Sequence, residues 1–381
     1  MIREYPTSRG PRGSFLSKHL PLVALLAATS AAGVLACGND DSGGGEQTEL
    51  EPLEPIEPTD VPDRAAPVAP AAPAPLPPGS DTLNGLSLPA QMANWRVIGV
   101  VNVPGTPAGT VRVIVGNDTA VDAARAGQTN PWPDGSMMGH LQWTAQASTS
   151  PGSSATVPGA FAAATLMVKN SGEYADDGGW AYGVWTTPEL RPLNNPTFDR
   201  ACVDCHTSSV PDNDFVFTIP GALPEQAAVD AAATLPNGIE MPADILDWRV
   251  IGIASREGDM NPNIRVVIGN EIAIDAARAG ETNPWPDGAM LAHYVWAAGE
   301  TPSQPDNVTP VGFNAITLMV KDSVAYEEDG GWAYGNWTTP QLAPAAADFD
   351  RGCVDCHTSN VADNDFVFTI PGDIPDALFG G

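Results

Sequence analysis

Residues 202–206 read Cys-Val-Asp-Cys-His, and residues 353–357 repeat the same five amino acids. In an exported chain, two cysteines three residues apart with a histidine directly after them are typical of the attachment site of a c-type haem. Each thiol can form a thioether with one vinyl group of the porphyrin, and the adjacent imidazole can then bind the iron. The two runs therefore predict two covalently bound haem c groups. The predicted cofactor-binding residues are Cys202, Cys205, His206, Cys353, Cys356 and His357, with His206 and His357 as axial ligands of the iron.

Three other uses of a Cys-x-x-Cys pair compete with haem attachment: a redox-active dithiol, half of a zinc site and a disulfide. A redox-active dithiol does not need the histidine that follows, and the βαβ pattern usual around it is missing from the sequence. A zinc site made of all four cysteines would leave two identical histidines without a role. The sequence therefore favours haem, and a colourless lipoprotein held together by zinc or a disulfide is the structural alternative.

Residues 1–36 have the composition of an export signal. A basic lead is followed by an apolar run, residues 21–36, that is too short to cross a bilayer comfortably. The run ends in Val-Leu-Ala directly before Cys37, which looks like the lipobox of a bacterial lipoprotein. We therefore expect residues 1–36 to be removed and Cys37 to be lipidated; an ordinary signal peptide with an incidental cysteine is the alternative. Gly38, rather than aspartate, favours the outer membrane of a Gram-negative cell over the inner membrane.

The segment that follows predicts an extended tether. Residues 37–82 are rich in proline, alanine and acidic residues and have no apolar periodicity, a composition that does not form a packed core. Such a tether would hold a folded part away from the membrane, facing the periplasm or the cell surface, with the lipid on Cys37 as its only anchor. The five cysteines of the chain are then all used, one for the lipid and four for two haems.

The chain is strongly acidic. It has 17 lysine and arginine residues against 46 aspartate and glutamate residues, a net charge of −29. Such a charge excludes nucleic acid as a partner, because phosphates are bound by lysine and arginine. It is compatible with a basic periplasmic redox partner attracted by the field of the protein, and equally with a surface that acidic residues keep soluble.

Most of the chain is a tandem duplication. Trp-Arg-Val-Ile-Gly occurs at residues 95–99 and 248–252, and Asn-Pro-Trp-Pro-Asp-Gly occurs at residues 130–135 and 283–288. The shared motifs keep their order up to the two Cys-Val-Asp-Cys-His runs, so each copy contains a complete haem motif. About 140 residues per copy are enough to bury a core.

The predicted boundaries follow from this repeat. Residues 83–221 form the first haem domain, residues 235–381 form the second, and an alanine-rich linker, residues 222–234, predicts a short helix between them. Within a copy, β-branched runs separated by turn residues predict mostly strands. In the first copy the expected strands are residues 95–103, 110–115, 138–144, 161–169, 180–186 and 215–219, with helices at 118–126 and 199–207. The predicted fold class is mainly β: two tandem antiparallel β-sheet domains with short helices, each carrying one c-type haem.

Histidines are scarce, and two of them occupy the same place in the repeat. Besides one in the leader and two in the haem motifs, the chain has only His140 and His293, each on a predicted strand shortly after the Pro-Asp-Gly turn. The distal side of a haem, opposite the motif histidine, must also be lined by residues, so both histidines are candidates for the distal pocket or for the sixth iron ligand. A structural role is the alternative. Lys169 and Lys321 end predicted strands, where we expect them to be solvated, and a site near haem propionates or a partner is the alternative.

The ordered motifs resemble one known family. Asn-Pro-Trp-Pro-Asp-Gly, Met-Val-Lys followed by Asn-Ser or Asp-Ser, Gly-Gly-Trp, and Cys-Val-Asp-Cys-His followed by Asp-Phe-Val-Phe-Thr are together similar to the cytochrome P-460 family. The similarity spans nearly all of each copy. The resemblance implies an antiparallel β fold, often dimeric, and a c-type haem with the motif histidine as its proximal ligand. It also implies that the two copies pair within one chain as a pseudo-dimer.

The resemblance marks where this chain departs from its relatives. Characterised members oxidise hydroxylamine with a lysine cross-linked to the porphyrin, and the related cytochromes c′-β bind nitric oxide in a hydrophobic distal pocket. The resemblance places His140 and His293 at the lysine position, and Thr165 and Thr317 at the position of a distal carboxylate. The cross-linked chromophore and hydroxylamine oxidation, which needs a positioned base, are therefore not implied for this chain.

Two functions follow from these observations. The first is electron transfer in the periplasm by a membrane-anchored di-haem cytochrome, favoured by the duplication, the tether and the lack of an obvious acid–base pair. The second is an enzyme or sensor that acts on hydroxylamine or nitric oxide at an open haem iron. The histidines and threonines of the distal position would then line its pocket. The sequence leaves open whether the protein is an enzyme.

Overall fold

The computed structural model describes residues 82–105, 109–151, 153–187, 189–193, 196–257, 261–346 and 349–380. The predicted signal peptide, the predicted lipid site Cys37 and nearly all of the predicted tether lie outside the described residues. Within these residues, no helix is both long enough and apolar enough to cross a membrane. The described part is mainly β, as the sequence predicts.

Both copies contain the same elements in the same order. In the first copy they are β1 (Arg96–Val103), β2 (Thr110–Gly116), α1 (Asp118–Arg125), β3 (Met137–Ala147), β4 (Thr156–Lys169), β5 (Trp180–Thr186), β6 (Arg191–Pro192) and α2 (Pro196–Ser209). The linker forms α3 (Gln226–Asp230), the short helix that its alanine content predicts. In the second copy the elements are β7 (Arg249–Arg256), β8 (Asn263–Gly269), α4 (Glu271–Ala279), β9 (Met290–Thr301), β10 (Gln304–Lys321), β11 (Trp332–Thr338), β12 (Ala343–Pro344) and α5 (Phe349–Val361).

The strands of both copies form one continuous antiparallel sheet. Consecutive strands pair from β1 to β4 and from β7 to β10. The copies join edge to edge where Thr156 on β4 pairs with Ser255 on β7, and where Asn102 on β1 pairs with Val308 on β10. In the described part of the chain these pairings close an eight-stranded barrel. The strand pairs β5–β6 and β11–β12 branch from the long strands β4 and β10.

The core contains residues of both copies. Strand β1 is buried over six consecutive positions, which explains why its apolar residues do not alternate with polar ones. Trp143 and Trp296, at equivalent places on β3 and β9, are fully buried. The indole Nε1 of Trp143 donates to the carbonyl oxygen of Asp373 at 3.1 Å, and that of Trp296 donates to the carbonyl oxygen of Ala222 at 2.7 Å. Each tryptophan therefore finds its hydrogen-bond partner outside its own copy.

The segment after each haem motif contacts the β-hairpin of the other copy. The carbonyl oxygen of Phe217 accepts hydrogen bonds from Ser303 Oγ at 2.9 Å and from Gln304 Nε2 at 3.0 Å. In the other direction, the carbonyl oxygen of Phe368 accepts one from Ser150 Oγ at 3.4 Å. The rings of these phenylalanines lie with their centroids 4.9 Å from the motif histidine of their own copy. Each haem motif is therefore supported by contacts with the other copy.

One predicted strand is wrong. Residues 215–219 read Phe-Val-Phe-Thr-Ile, but they form no strand. Asp214 and Phe215, at the start of this stretch, have φ angles of 47° and 63°, which no strand can include. The apolar pattern instead reflects burial of an extended segment, whose Gly221 donates its backbone N–H to the carbonyl oxygen of Ile98 at 2.9 Å. The other predicted strands and helices of the first copy are present, with β4 and α2 longer than predicted.

Candidate functional site

The histidine of each Cys-Val-Asp-Cys-His run has one ring nitrogen fixed by the backbone. His206 Nδ1, on α2, lies 2.7 Å from the carbonyl oxygen of Phe215, and His357 Nδ1, on α5, lies 2.6 Å from that of Phe366. A carbonyl oxygen only accepts hydrogen bonds, so Nδ1 carries the proton and Nε2 keeps its lone pair. Metal-binding histidines are oriented in this way by a second hydrogen bond. Both predicted axial ligands thus offer Nε2 to a metal.

A strained turn brings each carbonyl oxygen to its histidine. Asp214 and Phe215 have φ angles of 47° and 63°, and Asp365 and Phe366 have φ angles of 47° and 60°. Aspartate tolerates this left-handed region, but phenylalanine rarely adopts it. Each such residue costs on the order of 1–3 kcal/mol. Contacts around the turn must therefore hold it in place, and they centre on the aspartate.

Asp214 is the centre of a buried hydrogen-bond network. Its carboxylate accepts bonds from Lys169 Nζ at 2.7 and 2.9 Å and from the backbone N–H of Trp132 at 2.8 Å. Its carbonyl oxygen accepts a bond from Trp180 Nε1 at 2.8 Å. The Lys169 and Asp214 side chains are only 4% and 9% exposed, and a buried ion pair persists only where both charges are well bonded. The network therefore fixes the turn that orients His206.

The second copy repeats this network. Asp365 accepts bonds from Lys321 Nζ at 2.7 Å and from the backbone N–H of Trp285 at 2.8 Å, and its carbonyl oxygen accepts one from Trp332 Nε1 at 2.8 Å. The prediction that Lys169 and Lys321 are solvated is therefore wrong, since both are buried. The local sequence could not reveal this, because Asp365 lies 44 residues beyond its lysine.

In the second copy, the haem motif and the sheet surround a cavity of about 600 Å³. This volume lies within the range of cofactor and ligand pockets. Cys353, Cys356 and His357 on α5 line the cavity together with His293 on β9. The structure therefore brings the predicted attachment residues of this copy and its predicted distal histidine to one place. Other residues lining the cavity include Arg256, Arg265, Met319 and Phe368.

The two strand histidines, His140 on β3 and His293 on β9, are uncharged. Burial, together with the positive charge of an arginine on the neighbouring strand and of the motif histidine, lowers the pKa of each to about 3. Each strand histidine therefore lies close enough to the motif histidine of its own copy for the two charges to interact. A neutral imidazole can bind iron or take part in hydrogen bonds, but it is not a proton donor of ordinary acidity.

The two predicted threonines lie beside these histidines. Thr317 Oγ1 is 3.0 Å from His293 Nδ1, between the paired strands β9 and β10. Thr165 Oγ1 instead accepts a hydrogen bond from the backbone N–H of His140 at 3.2 Å. The four predicted distal residues thus form two pairs at equivalent positions of the sheet, with different hydrogen bonds. A threonine hydroxyl can position a ring or a ligand, but it does not replace a carboxylate as a base.

The properties of the cysteines distinguish haem attachment from a redox-active dithiol and from a zinc site. Burial raises the pKa of Cys202 and of Cys353 to about 11, whereas redox-active and zinc-binding cysteines ionise easily. Among the described residues, no group of three or more His, Cys, Asp or Glu could hold a metal ion, so zinc has no site there. Cys202, Cys353 and Cys356 are free thiols. Cys205 lies on α2 with Cys202 and His206.

Sequence reasoning missed two features of the site. The first is an arginine on the strand next to each strand histidine, Arg112 on β2 and Arg265 on β8. A charged residue inside a β-branched run, as in Val-Arg-Val and Ile-Arg-Val, was the signal that could have revealed it. The second is the bond from the motif histidine to a carbonyl oxygen, which depends on the geometry of a turn and leaves no signal in the sequence.

A haem motif that faces an antiparallel sheet, rather than the helical bundle of ordinary small cytochromes c, defines a β-class c-type cytochrome. The family model for cytochrome P460 matches residues 89–218 and 242–369, about two thirds of the chain. The chain therefore belongs to the cytochrome P460 family, and membership implies covalently bound haem c. The match to both copies confirms the predicted family and the duplication. No curated protein matches the chain.

Proposed function

We propose that the protein is a membrane-anchored di-haem cytochrome that transfers electrons in the periplasm. The observation that carries this proposal is the repetition of one site. In each copy the motif histidine donates from Nδ1 to a carbonyl oxygen, and a neutral histidine of the sheet lies near it. The family supports haem c, while the second haem, the lipid on Cys37 and the periplasmic location rest on the sequence.

The residues of the second copy fit a covalently bound haem. Bound haem iron supplies one-electron redox chemistry. Cys353 and Cys356 would carry the thioethers, and Nε2 of His357 is the nitrogen left to bind iron. Met319 and Phe368 add apolar side chains to the walls of the cavity. His293, kept neutral by burial, can serve as a sixth ligand or take part in a hydrogen bond.

The strand histidines favour a carrier over an enzyme that moves protons. A general acid or base is most effective when its pKa lies near the working pH. Burial lowers the pKa of His140 and His293 to about 3, so neither can donate a proton efficiently at neutral pH. The neighbouring threonines, Thr165 and Thr317, do not supply a base either. Electron transfer needs neither a general acid nor a general base.

The alternative function is an enzyme or sensor that acts on hydroxylamine or nitric oxide at an open haem iron. One contact favours it. The ring of His293 is already engaged through Nδ1 with Thr317 Oγ1 at 3.0 Å, which restrains the ring within the sheet. A restrained histidine that stays off the iron would leave the sixth position to a small ligand.

Visible spectra of the oxidised and reduced protein, with and without nitric oxide, test this proposal. A carrier with a histidine on each face of the iron gives a six-coordinate, low-spin spectrum that nitric oxide leaves unchanged. A high-spin spectrum that responds to nitric oxide would replace electron transfer by the alternative. Labelled fatty acid incorporated into the wild type, and lost in Cys37→Ala, tests the lipid anchor.

We further propose that the two copies form a pseudo-dimer within one chain and that the redox partner is basic. Edge pairing through Thr156 and Ser255, and the bond from the indole of Trp143 to Asp373 of the other copy, support the pairing. The net charge of −29 supports a basic partner. Light scattering of residues 235–381 expressed alone tests the pairing. Self-association supports it, and a folded half that stays monomeric contradicts it.

A further inference from the structure

The cavity of the second copy contains a cation that the first copy lacks. Arg256, the last residue of β7, lines this cavity together with Arg265 and His293. The equivalent residue, at the end of β1, is Val103. Arg265, in contrast, has an equivalent in the first copy, Arg112. The two copies therefore differ by one guanidinium group at this position.

Arg256 has an unused hydrogen-bond donor. Its Nε is buried and has no hydrogen-bond partner, and a buried donor without an acceptor costs free energy. The ion pairs among the described residues include none with Arg256. The carboxylate next to it in sequence, that of Glu257, bonds instead to Ser255 Oγ at 3.0 Å and to the side-chain amide of Asn102. Within the described part of the chain, the Nε–H of Arg256 is therefore without an acceptor and can donate to a ligand.

The surroundings of Arg256 favour a negatively charged ligand. The described residues that line the cavity include two arginines and no acidic residue. This is unusual in a chain with 46 acidic and 17 basic residues. A guanidinium group binds carboxylates and small oxyanions through two parallel N–H donors, and it does so most strongly where water is excluded. A buried Nε–H offers one of these donors.

We propose that Arg256 makes the cavity of the second copy a binding site for a carboxylate or small oxyanion, and that the first copy, with Val103 at this position, has no such site. The anion has two sources with the same chemistry, a free oxyanion such as nitrite or a propionate of the haem. The inference rests on the proposed function in that it places haem in this cavity. Since the first copy carries Val103 at the equivalent position, the chain supplies its own matched control.

Calorimetric titration of the ferric, haem-loaded full chain with sodium nitrite tests the inference. Arg256→Val is the loss variant and Val103→Arg is the gain variant, and circular dichroism establishes that each is folded. We expect the wild type to bind one nitrite per chain. Arg256→Val should weaken that binding about tenfold or more, and Val103→Arg should add a second site. These results would identify a free oxyanion as the ligand.

A haem propionate as the ligand gives a different pattern. Nitrite then does not bind, and Arg256→Val shifts the midpoint potential of one haem and leaves the other unchanged, because only one propionate loses its counter-charge. Two equal nitrite sites, or an Arg256→Val variant that changes neither affinity nor potential, would overturn the inference. If Arg256→Val does not fold, Val103→Arg tests the inference instead. A folded Val103→Arg variant that gains no nitrite site and shows no shift in midpoint potential would overturn the inference. Haem content is read from the intact mass, so failure of the proposed function is seen separately.

Discussion

The two copies agree in the contacts that hold the haem motif and differ in the wall that faces it. The lysine, aspartate and tryptophan network and the bond from histidine to carbonyl oxygen are the same in both copies, within 0.1 Å in their key distances. Strand positions that differ between the copies include Val103 and Arg256, Gln142 and Val295, and Val184 and Asn336, and of these Arg256 lines the cavity. A strained turn needs every contact that holds it, whereas the backbone of a strand is indifferent to most changes of its side chains. After duplication, the residues that hold the turn can therefore stay the same while the strand residues that face the haem motif change.

Removal of one cysteine pair should have the largest effect and shows whether the sites are independent. Cys353→Ala with Cys356→Ala removes both thioether positions of the second copy, so we expect half of the haem absorbance to be lost. The same change at Cys202 and Cys205 should remove the other half. Haem content and the reduced visible spectrum measure this, with Cys37→Ala as the control that keeps both haems. Loss of all haem from either double variant would contradict independent sites.

Breaking the buried ion pair should come next in size. Asp214→Ala leaves Lys169 buried without a partner, which costs roughly 3–5 kcal/mol in the free energy of unfolding. Asp365→Ala should cost the same amount, because Lys321 is equally buried. Denaturant unfolding measures both.

A double variant controls for the unpaired charge. Lys169→Met combined with Asp214→Asn removes both charges and should recover much of the stability. If the losses in free energy of unfolding caused by Asp214→Ala and Asp365→Ala differ by more than about 2 kcal/mol, the buried networks of the two copies are not equivalent.

Stability should fall in acid because of the strand histidines. Burial lowers the pKa of His293 from 6.5 to about 3 in the folded protein. Between these values the unfolded chain binds the proton and the folded protein does not, so the stability that is complete above pH 6.5 declines as the pH falls towards 3. His293→Phe should lose less stability than the wild type between about pH 7 and about pH 4.5. His140→Phe should behave in the same way. Denaturant unfolding at several pH values measures this, and equal losses of unfolding free energy in variant and wild type would contradict a buried neutral histidine.

The contacts between the copies should give the smallest difference. Ser303 Oγ donates to the carbonyl oxygen of Phe217 at 2.9 Å, whereas Ser150 Oγ lies 3.4 Å from that of Phe368. Ser303→Ala should therefore cost about 1 kcal/mol, and Ser150→Ala less. Thermal unfolding of the two variants checks this order. A larger cost for Ser150→Ala would show that the hairpin of the first copy is the stronger contact.

The features that the sequence predicts correctly are those that depend on residues close together in the chain. The runs of β-branched residues that form β1 to β5, and the helix that carries the haem motif, depend on neighbours in the chain and were predicted with their order. The burial of Lys169 was not, because its partner Asp214 lies 45 residues further on. The apolar pattern of residues 215–219 predicts a strand, but a period of two shows burial, and burial alone does not show pairing. Arg256 gave no signal, since its meaning appears only when the cavity places it near His293.

The decisive measurement is the intact mass of the chain after maturation in the periplasm. We expect the added mass of two haems, one on each Cys-Val-Asp-Cys-His run, retained after denaturation because thioethers are covalent. A single added haem would show that the two supports are not functionally equivalent. If a host that matures other c-type cytochromes adds no haem to this chain, the protein is not a c-type cytochrome.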